Sequence, residues 1–138
     1  MQELAANDPT ILFHGVLNRE ENARLLRAGK IAVVPYEVSQ TRGFSFKTVE
    51  CLAAGMHVIT TRLEALEALD AEMKRGITYI DDNTPQTIAT ALNRAITERC
   101  YERTAVQATL NRFGPAAAAR DLQALLEQVK LSFRSNGR

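Results

Sequence analysis

The residues of this chain whose types could do chemistry are concentrated in one short stretch, residues 42–55. A polar loop containing Gly43 comes first, and a run with helical potential follows and ends at Gly55. Apolar runs that predict strands lie before and after this stretch, at Ile31–Val34 and at residues 58–60. A polar, glycine-containing loop that opens a helix between two strands is a common phosphate site in α/β proteins, because the first N–H groups of a helix point at the bound anion. The sequence therefore predicts an anion-binding site here.

Other titratable side chains give weaker indications of chemistry. His14 and His57 lie at the ends of apolar runs and too far apart in sequence to suggest a metal site, so we expect packing or surface roles for them. His14, with Gly15, could also line a cleft. Asp81 and Asp82 resemble a carboxylate pair for acid–base work, but a turn that caps the next helix is the better interpretation. No Ser-His-Asp, Cys-His or HExxH arrangement can be assembled, and we expect no metal and no cofactor.

The composition indicates the class of protein that carries this stretch. Of the 138 residues 46% are hydrophobic and 24% charged, values that suit a globular domain. The 17 basic and 16 acidic residues leave a net charge of +1, so we expect no nucleic-acid partner and at most a peripheral membrane contact. Because no apolar run reaches the roughly 20 residues of a membrane span and no signal peptide is evident, we expect a cytoplasmic protein. Cys51 and Cys100 lack disulfide or zinc-finger spacing, which agrees with that expectation.

Strands and helices alternate along the chain. The predicted strands are residues 11–13, 31–34, 58–60 and 77–80. The predicted helices are residues 19–28, 44–54, 63–73, 84–99, 101–112 and 115–133. This alternation predicts a Rossmann-like α/β fold, in which a parallel sheet is flanked by helices, as one domain over residues 1–138. Because ligands bind outside the carboxyl ends of such strands, the loop at residues 42–46 is expected in the binding crevice.

Two of the predicted helices have a marked apolar face. In the central helix the residues expected to pack inward, at helical spacing, are Phe46, Val49, Leu52 and Ala53. The last helix, residues 115–133, carries a long apolar stripe that includes Leu122, Leu125 and Leu126. A stripe of that length could be a docking element for a partner.

Five short motifs then occur in a fixed order. They are Phe13-His14-Gly15-Val16, Val33-Val34-Pro35, Gly43-Phe44-Ser45, a helix carrying Glu50, and Ala53-Ala54-Gly55-Met56-His57-Val58-Ile59. Their order and spacing resemble the C-terminal, donor-binding half of retaining GT-B glycosyltransferases of the family-4 type (glycosyl transferases group 1), over roughly residues 11–96. The resemblance implies part of the C-terminal half of a GT-B fold. It also implies transfer of a sugar from a nucleoside diphosphate sugar to a glycan or lipid-linked acceptor.

The same resemblance implies a role for each matching residue. Glu50 matches the glutamate that accepts hydrogen bonds from the ribose hydroxyls of the donor, and a carboxylate can take both protons of a vicinal diol. Val49 matches an apolar position beside the ribose and the base. The helix N-terminus adds about half a positive charge where the diphosphate is implied to lie. The implied contacts of the diphosphate and the sugar are Arg42, Gly43, Phe44, Ser45, Phe46 and Lys47.

The chain departs from the family pattern at three positions. Arg42 stands eight positions before Glu50, where the family usually has a glutamate that contacts the transferred sugar. An arginine there could instead meet a phosphate or an acidic sugar. Ser45 replaces a glycine, and His57 replaces a proline. The resemblance therefore leaves the catalytic residues unassigned.

The length of the chain raises a second question, because a complete GT-B enzyme has two Rossmann-like domains and this chain has room for about one. We therefore expect a fragment whose partner is a missing N-terminal acceptor domain or another chain, and a homo-oligomer is also open. Two strands of the family's domain have no counterpart before residue 11, so the sheet must close the gap, leave residues 11–13 unpaired or recruit a partner chain.

Two other functions remain open at this point. The chain could be a non-catalytic, glycosyltransferase-like α/β interaction module, and whether it is an enzyme by itself is left undecided. A flavodoxin-like regulator fits less well, because His14 and Gly15 stand where such a protein needs an acidic cluster.

Overall fold

The computed structural model describes residues 8–37 and 45–135, with side chains up to residue 128. The strands in these ranges are β1 (Ile31–Val34), β2 (His57–Thr61) and β3 (Ile77–Ile80). The helices are α1 (Arg19–Ala28), α2 (Phe46–Ala53), α3 (Glu64–Glu67), α4 (Ala71–Lys74), α5 (Pro85–Thr97), α6 (Val106–Phe113) and α7 (Pro115–Ser135). One 3-10 turn, Cys100–Glu102, lies between α5 and α6. The predicted α/β fold, a parallel sheet flanked by helices, is confirmed.

The three strands form one sheet in the order β1-β2-β3, and both pairings are parallel. Ile31 lies opposite His57 in the first pairing, and Val58 lies opposite Ile77 in the second. Every residue of β2 is buried, as expected for a central strand that is covered on both faces. In the outer strand β1, by contrast, Val33 is exposed. The central strand therefore anchors the sheet.

The first predicted strand, residues 11–13, is not a strand. The side chains of Ile11, Leu12 and Phe13 are instead 48%, 71% and 55% exposed. An apolar run becomes a strand only where a neighbouring strand can take its backbone hydrogen bonds, and β1 pairs on one side only among the described residues. Among the described residues this segment is unpaired, which is one of the three possibilities left by the sequence.

The predicted beginnings of α1 and α5 are confirmed. Asn18 accepts hydrogen bonds from the N–H groups of Glu20 and Glu21, both at 3.0 Å, and its own N–H donates to the Glu21 carboxylate at 2.9 Å. This is the predicted capping box. Thr84 caps α5 by accepting from the Thr87 N–H at 3.3 Å, immediately before a proline at the first helical position. Both helices begin where local side-chain chemistry places them.

The helix predicted over residues 63–73 is two separate turns, α3 and α4. The Asp70 carboxylate accepts a hydrogen bond from the Met73 N–H at 2.8 Å and so starts a new helix inside the predicted one. The break lets Leu66, Leu69 and Met73 all enter the core. The helix predicted over residues 101–112 likewise begins late, because a 3-10 turn occupies its first residues.

The core lies on both faces of the sheet. Because successive strand residues point to opposite faces, Val58 and Ile59 belong to two different hydrophobic clusters. The larger cluster joins Val58 to Leu52 of α2 and Met73 of α4. The smaller joins Ile59 to Ala91 and Ala95 of α5. The helix of the predicted site is thus held against the sheet by its own buried residues.

The inner face of α2 differs from the predicted one. Its buried residues are Thr48, Val49, Cys51 and Leu52. Phe46, predicted to point inward, is 75% exposed. Since consecutive helical residues are about 100° apart, Phe46 lies almost opposite Thr48, and Thr48 is held inside by a hydrogen bond to Ser45. Val49 and Leu52 are thus buried as predicted, whereas Phe46 lies outside and the polar Thr48 takes its place inside.

Candidate functional site

A chain of hydroxyl groups fixes the start of α2. The Ser45 hydroxyl caps the helix by accepting a hydrogen bond from the Thr48 N–H at 3.2 Å, and it lies 2.8 Å from the Thr48 hydroxyl. The Tyr36 hydroxyl is 2.7 Å from the same Ser45 oxygen. The side chain of Ser45 is therefore buried in a structural network, and the contact predicted for Ser45 is one through its backbone N–H group. What the start of α2 can offer a phosphate is the positive end of the helix dipole.

Two threonines at the end of β2 tie that network to the sheet. The Tyr36 N–H donates to the Thr61 hydroxyl at 2.7 Å, and this hydroxyl donates to the Tyr36 carbonyl at 2.9 Å. The Thr60 hydroxyl donates to the Val34 carbonyl at 2.8 Å. Both threonines are buried. The network holds α2 at the carboxyl edge of β1 and β2, where parallel sheets bind ligands.

The structure brings Lys47 and Glu50 together, one turn apart on α2. The Lys47 ammonium donates to the Glu50 carboxylate at 2.5 Å, with side chains that are 50% and 53% exposed. The hydrogen bond that Lys47 donates to Glu50 raises the pKa of Lys47. An exposed pair of this kind contributes little to stability, so it can be exchanged for other partners at small cost.

A cleft of about 260 Å³ lies between α2 and α6, and we call it the α2–α6 cleft. Its lining residues are Phe46, Val49, Glu50, Ala53, Thr109, Leu110, Phe113 and Gly114. The four from α2 follow helical spacing along one face. The Thr109 hydroxyl donates to the Ala105 carbonyl at 2.7 Å, so its proton is already used. The cleft is therefore apolar apart from the Glu50 carboxylate, and it can take a flat or apolar group beside a carboxylate that accepts hydrogen bonds.

Other predicted site residues do not join this cleft. Arg42, Gly43 and Phe44 lie outside the described residues. His14 and Gly15 are exposed in the segment before α1 and do not line the α2–α6 cleft. Their predicted roles stay predictions.

His57 is buried at the start of β2. Its Nε2 lies 2.8 Å from the Thr78 hydroxyl, and its buried Nδ1 has no partner within the described ranges. Burial, and then the charge of Arg103, lowers the pKa of His57. The imidazole is consequently held neutral inside the fold, as expected for a packing residue.

Acidification should destabilise the chain through this histidine. The unfolded chain binds a proton at the ordinary pKa of 6.5, whereas the folded chain binds it only at lower pH. The contribution of His57 to the free energy of unfolding is therefore complete above pH 6.5. It is lost as the pH falls from there toward the pKa of His57 in the folded chain. We expect urea unfolding to show a drop in the free energy of unfolding between about pH 8 and about pH 5 that is smaller in His57→Gln.

The Asp81–Asp82 turn has the structural role that the sequence favoured. Asp82 accepts hydrogen bonds from the hydroxyl and the N–H of Thr84, at 2.7 and 2.9 Å, and these bonds lower the pKa of Asp82. Asp81 forms an ion pair with Arg62 at 3.3 Å. Because each carboxylate has its own local partner, the two do not form an acid–base pair.

Within residues 8–37 and 45–135 no three His, Cys, Asp or Glu side chains come together as metal ligands. None of the helices described there is long and apolar enough to cross a membrane. Cys51 and Cys100 are free and buried, and burial raises the pKa of Cys51, which disfavours its reactive thiolate.

Comparison with known proteins identifies the family. The family model for glycosyl transferases group 1 matches residues 1–98, which include all three strands, α2 and Glu50. No curated protein and no solved structure matches the chain. The family match covers 98 of 138 residues, and the parallel sheet with α2 at its carboxyl edge agrees with it. The chain therefore belongs to the glycosyl transferases group 1 family and contains a GT-B-like glycosyltransferase domain.

Proposed function

We propose that this chain is the donor-binding portion of a glycosyltransferase that uses a nucleoside diphosphate sugar. The observation that carries the proposal is the position of Glu50, a carboxylate at the margin of an apolar cleft, on a helix fixed at the carboxyl edge of the sheet. A ribose would place its two hydroxyls on this carboxylate. Val49 would lie beside the ribose and the base. The acceptor, a glycan or a lipid-linked saccharide, would be presented by a second domain or another chain.

The Lys47–Glu50 pair supports the proposal because its two charges suit two parts of one ligand. The ammonium can move to a phosphate oxygen, and the carboxylate is then free to accept the ribose hydroxyls. The diphosphate would also meet the positive end of the α2 dipole. Since the pair is half exposed, separating it costs little. In a transfer reaction these contacts would stabilise the charge that develops on the departing diphosphate.

Replacing Glu50 tests this assignment. We expect isothermal titration calorimetry to detect binding of UDP or GDP, and Glu50→Ala to weaken it by about 1–3 kcal/mol through loss of a charged hydrogen bond. That loss corresponds to roughly 5- to 150-fold in Kd. Glu98→Ala is the matched control, because it removes a similar exposed ion pair, with Arg94 on α5, away from the cleft.

A deoxynucleotide makes the experiment specific for the ribose. The 2′-deoxy form of the better ligand should bind the wild-type chain more weakly, and this difference should disappear in Glu50→Ala if the carboxylate holds the diol. No heat from either nucleotide with a folded chain would contradict the proposal. An equal deoxy effect in both proteins would place the ribose elsewhere.

The second candidate function is a non-catalytic glycosyltransferase-like interaction module. It is favoured by the exposure of apolar side chains on α7 and by the arginine at position 42, where the family usually has a glutamate. A chain that associates stably but binds neither nucleotide would support this function over donor binding.

A further inference from the structure

The Glu50 carboxylate, to which we assign the ribose, accepts a hydrogen bond within the chain itself. Its Oε2 atom lies 2.5 Å from the ammonium nitrogen of Lys47, one turn earlier on α2. A vicinal diol that binds a carboxylate in a bidentate way donates one hydrogen bond to each oxygen. The ammonium and a ribose therefore compete for Oε2, and a ribose gains the whole carboxylate only when Lys47 has turned away.

The α2–α6 cleft offers a ribose no other charged acceptor. Among the described residues, Glu50 is the one charged residue of its lining. The other polar side chain there, that of Thr109, already donates its proton to the Ala105 carbonyl. Ribose hydroxyls that fail to reach the carboxylate would face mainly apolar groups, and this costs free energy because their hydrogen bonds to water are lost without replacement. Binding of a ribose in this cleft is thus controlled by one ion pair.

Lys47 is placed to respond to the other end of the same ligand. It lies in the first turn of α2, whose N-cap is Ser45, and it does not line the cleft. Lys47 is therefore one turn nearer than Glu50 to the positive end of the helix dipole, where the diphosphate is assigned. Its flexible stem lets the ammonium turn from Oε2 to a phosphate oxygen, and the half-exposed pair separates with little loss.

We propose that the Lys47–Glu50 pair makes recognition of the ribose conditional on a phosphate, so that Lys47 is a specificity-determining residue. It selects nucleoside diphosphates over ligands that offer a ribose alone. A phosphate draws the ammonium away and frees both carboxylate oxygens, whereas a nucleoside must break the pair and leave the ammonium to water. Because exposed ion pairs are weak, this competition lowers the affinity for a nucleoside by about two- to five-fold.

The inference rests on the proposed function, because it presupposes a ribose on Glu50, but the two can fail separately. If Glu50→Ala leaves binding of the diphosphate unchanged, the ribose lies elsewhere and both fail. If Glu50→Ala weakens binding as expected and Lys47→Met does not strengthen binding of the nucleoside, the proposed function stands and the conditional recognition fails.

Lys47→Met tests the inference, because it removes the ammonium and keeps a side chain of similar length. The ligands are UDP or GDP, whichever binds better, and the corresponding nucleoside, with Kd measured by nuclear magnetic resonance titration. We expect the nucleoside to bind Lys47→Met about two- to five-fold more tightly than the wild type, since Glu50 is no longer engaged. We expect the diphosphate to bind about three-fold or more weakly, since a charged contact with a phosphate is lost.

The controls separate this competition from other effects of the substitution. Arg94→Met removes a similar ion pair, with Glu98 on α5 and away from the cleft, and should change neither affinity. In a Glu50→Ala background, Lys47→Met should no longer strengthen binding of the nucleoside. Raising the salt concentration from about 50 to about 500 mM should strengthen nucleoside binding to the wild type and not to Lys47→Met, because salt screens an exposed pair.

The two affinities of Lys47→Met must change in opposite directions. A simple phosphate contact would weaken the diphosphate and leave the nucleoside unchanged, and a distorted α2 would weaken both. Either result, or a diphosphate affinity that does not fall, would overturn the proposal. Equal salt dependence of nucleoside binding in the two proteins would do the same.

Discussion

Leu52→Ala is expected to lower the free energy of unfolding by about 2–5 kcal/mol, the range found when a fully buried leucine is truncated. Leu52 has no exposed surface and belongs to the larger cluster with Val58 and Met73. Its neighbours come from a helix and from the central strand, so they cannot easily close the resulting cavity. Urea unfolding followed by circular dichroism measures the loss.

Phe46→Ala is the control for this prediction, because both residues belong to α2 and the sequence had placed both on one inner face. Phe46 is exposed at the margin of the cleft, so its truncation should change stability by no more than about 0.5 kcal/mol, as at other surface positions. Equal losses from the two substitutions would contradict the observed rotation of α2.

Gly114→Ala should be the second most damaging substitution. The N–H of Gly114 donates to the Leu110 carbonyl at 2.8 Å at the end of α6, and its carbonyl accepts from the Ala117 N–H at 3.0 Å at the start of α7. A methyl group at this position would overlap the Leu110 carbonyl, which is backbone and cannot turn aside. We therefore expect Gly114→Ala to lower the free energy of unfolding by about 1–3 kcal/mol or more, since α6 and α7 must move apart.

Gly29→Ala separates this steric effect from the general effect of replacing a glycine. There the added methyl group would overlap the terminal methyl of Met56, a flexible side chain that can move. Unfolding in urea should show a distinctly smaller loss for Gly29→Ala than for Gly114→Ala. Similar losses would mean that the α6–α7 junction accommodates the extra atom.

Local signals explain which elements could be predicted from the sequence. The capping box at Asn18 and the Thr84-Pro85 start depend on residues within one turn, so the sequence contains all that they need. Residues 11–13 required a neighbouring strand, which no local pattern can supply. Asp70 acted as a cap although it lay inside a helical pattern, because its carboxylate competes for the backbone N–H group of Met73.

The candidate site likewise combines local contacts, which the sequence predicts, with long-range contacts, which it does not. Lys47 and Glu50 are three residues apart, and their pairing on one helix could be predicted. Tyr36 and Thr61 hydrogen-bond across 25 positions, and α6 forms the second wall of the cleft from about 60 positions away. The one available signal was the Thr60-Thr61 pair directly after the apolar Val58 and Ile59, because buried hydroxyls need partners.

The place of β1 at the edge of the described sheet has a consequence for the behaviour of the chain in concentrated solution. An open strand edge is a template on which other chains can add, and this is the first step of amyloid-like aggregation. Lys30 and Pro35 stand at the two ends of β1, one charged and the other without an N–H group to donate. They confine the edge to four residues and so limit the number of hydrogen bonds that a foreign strand could form.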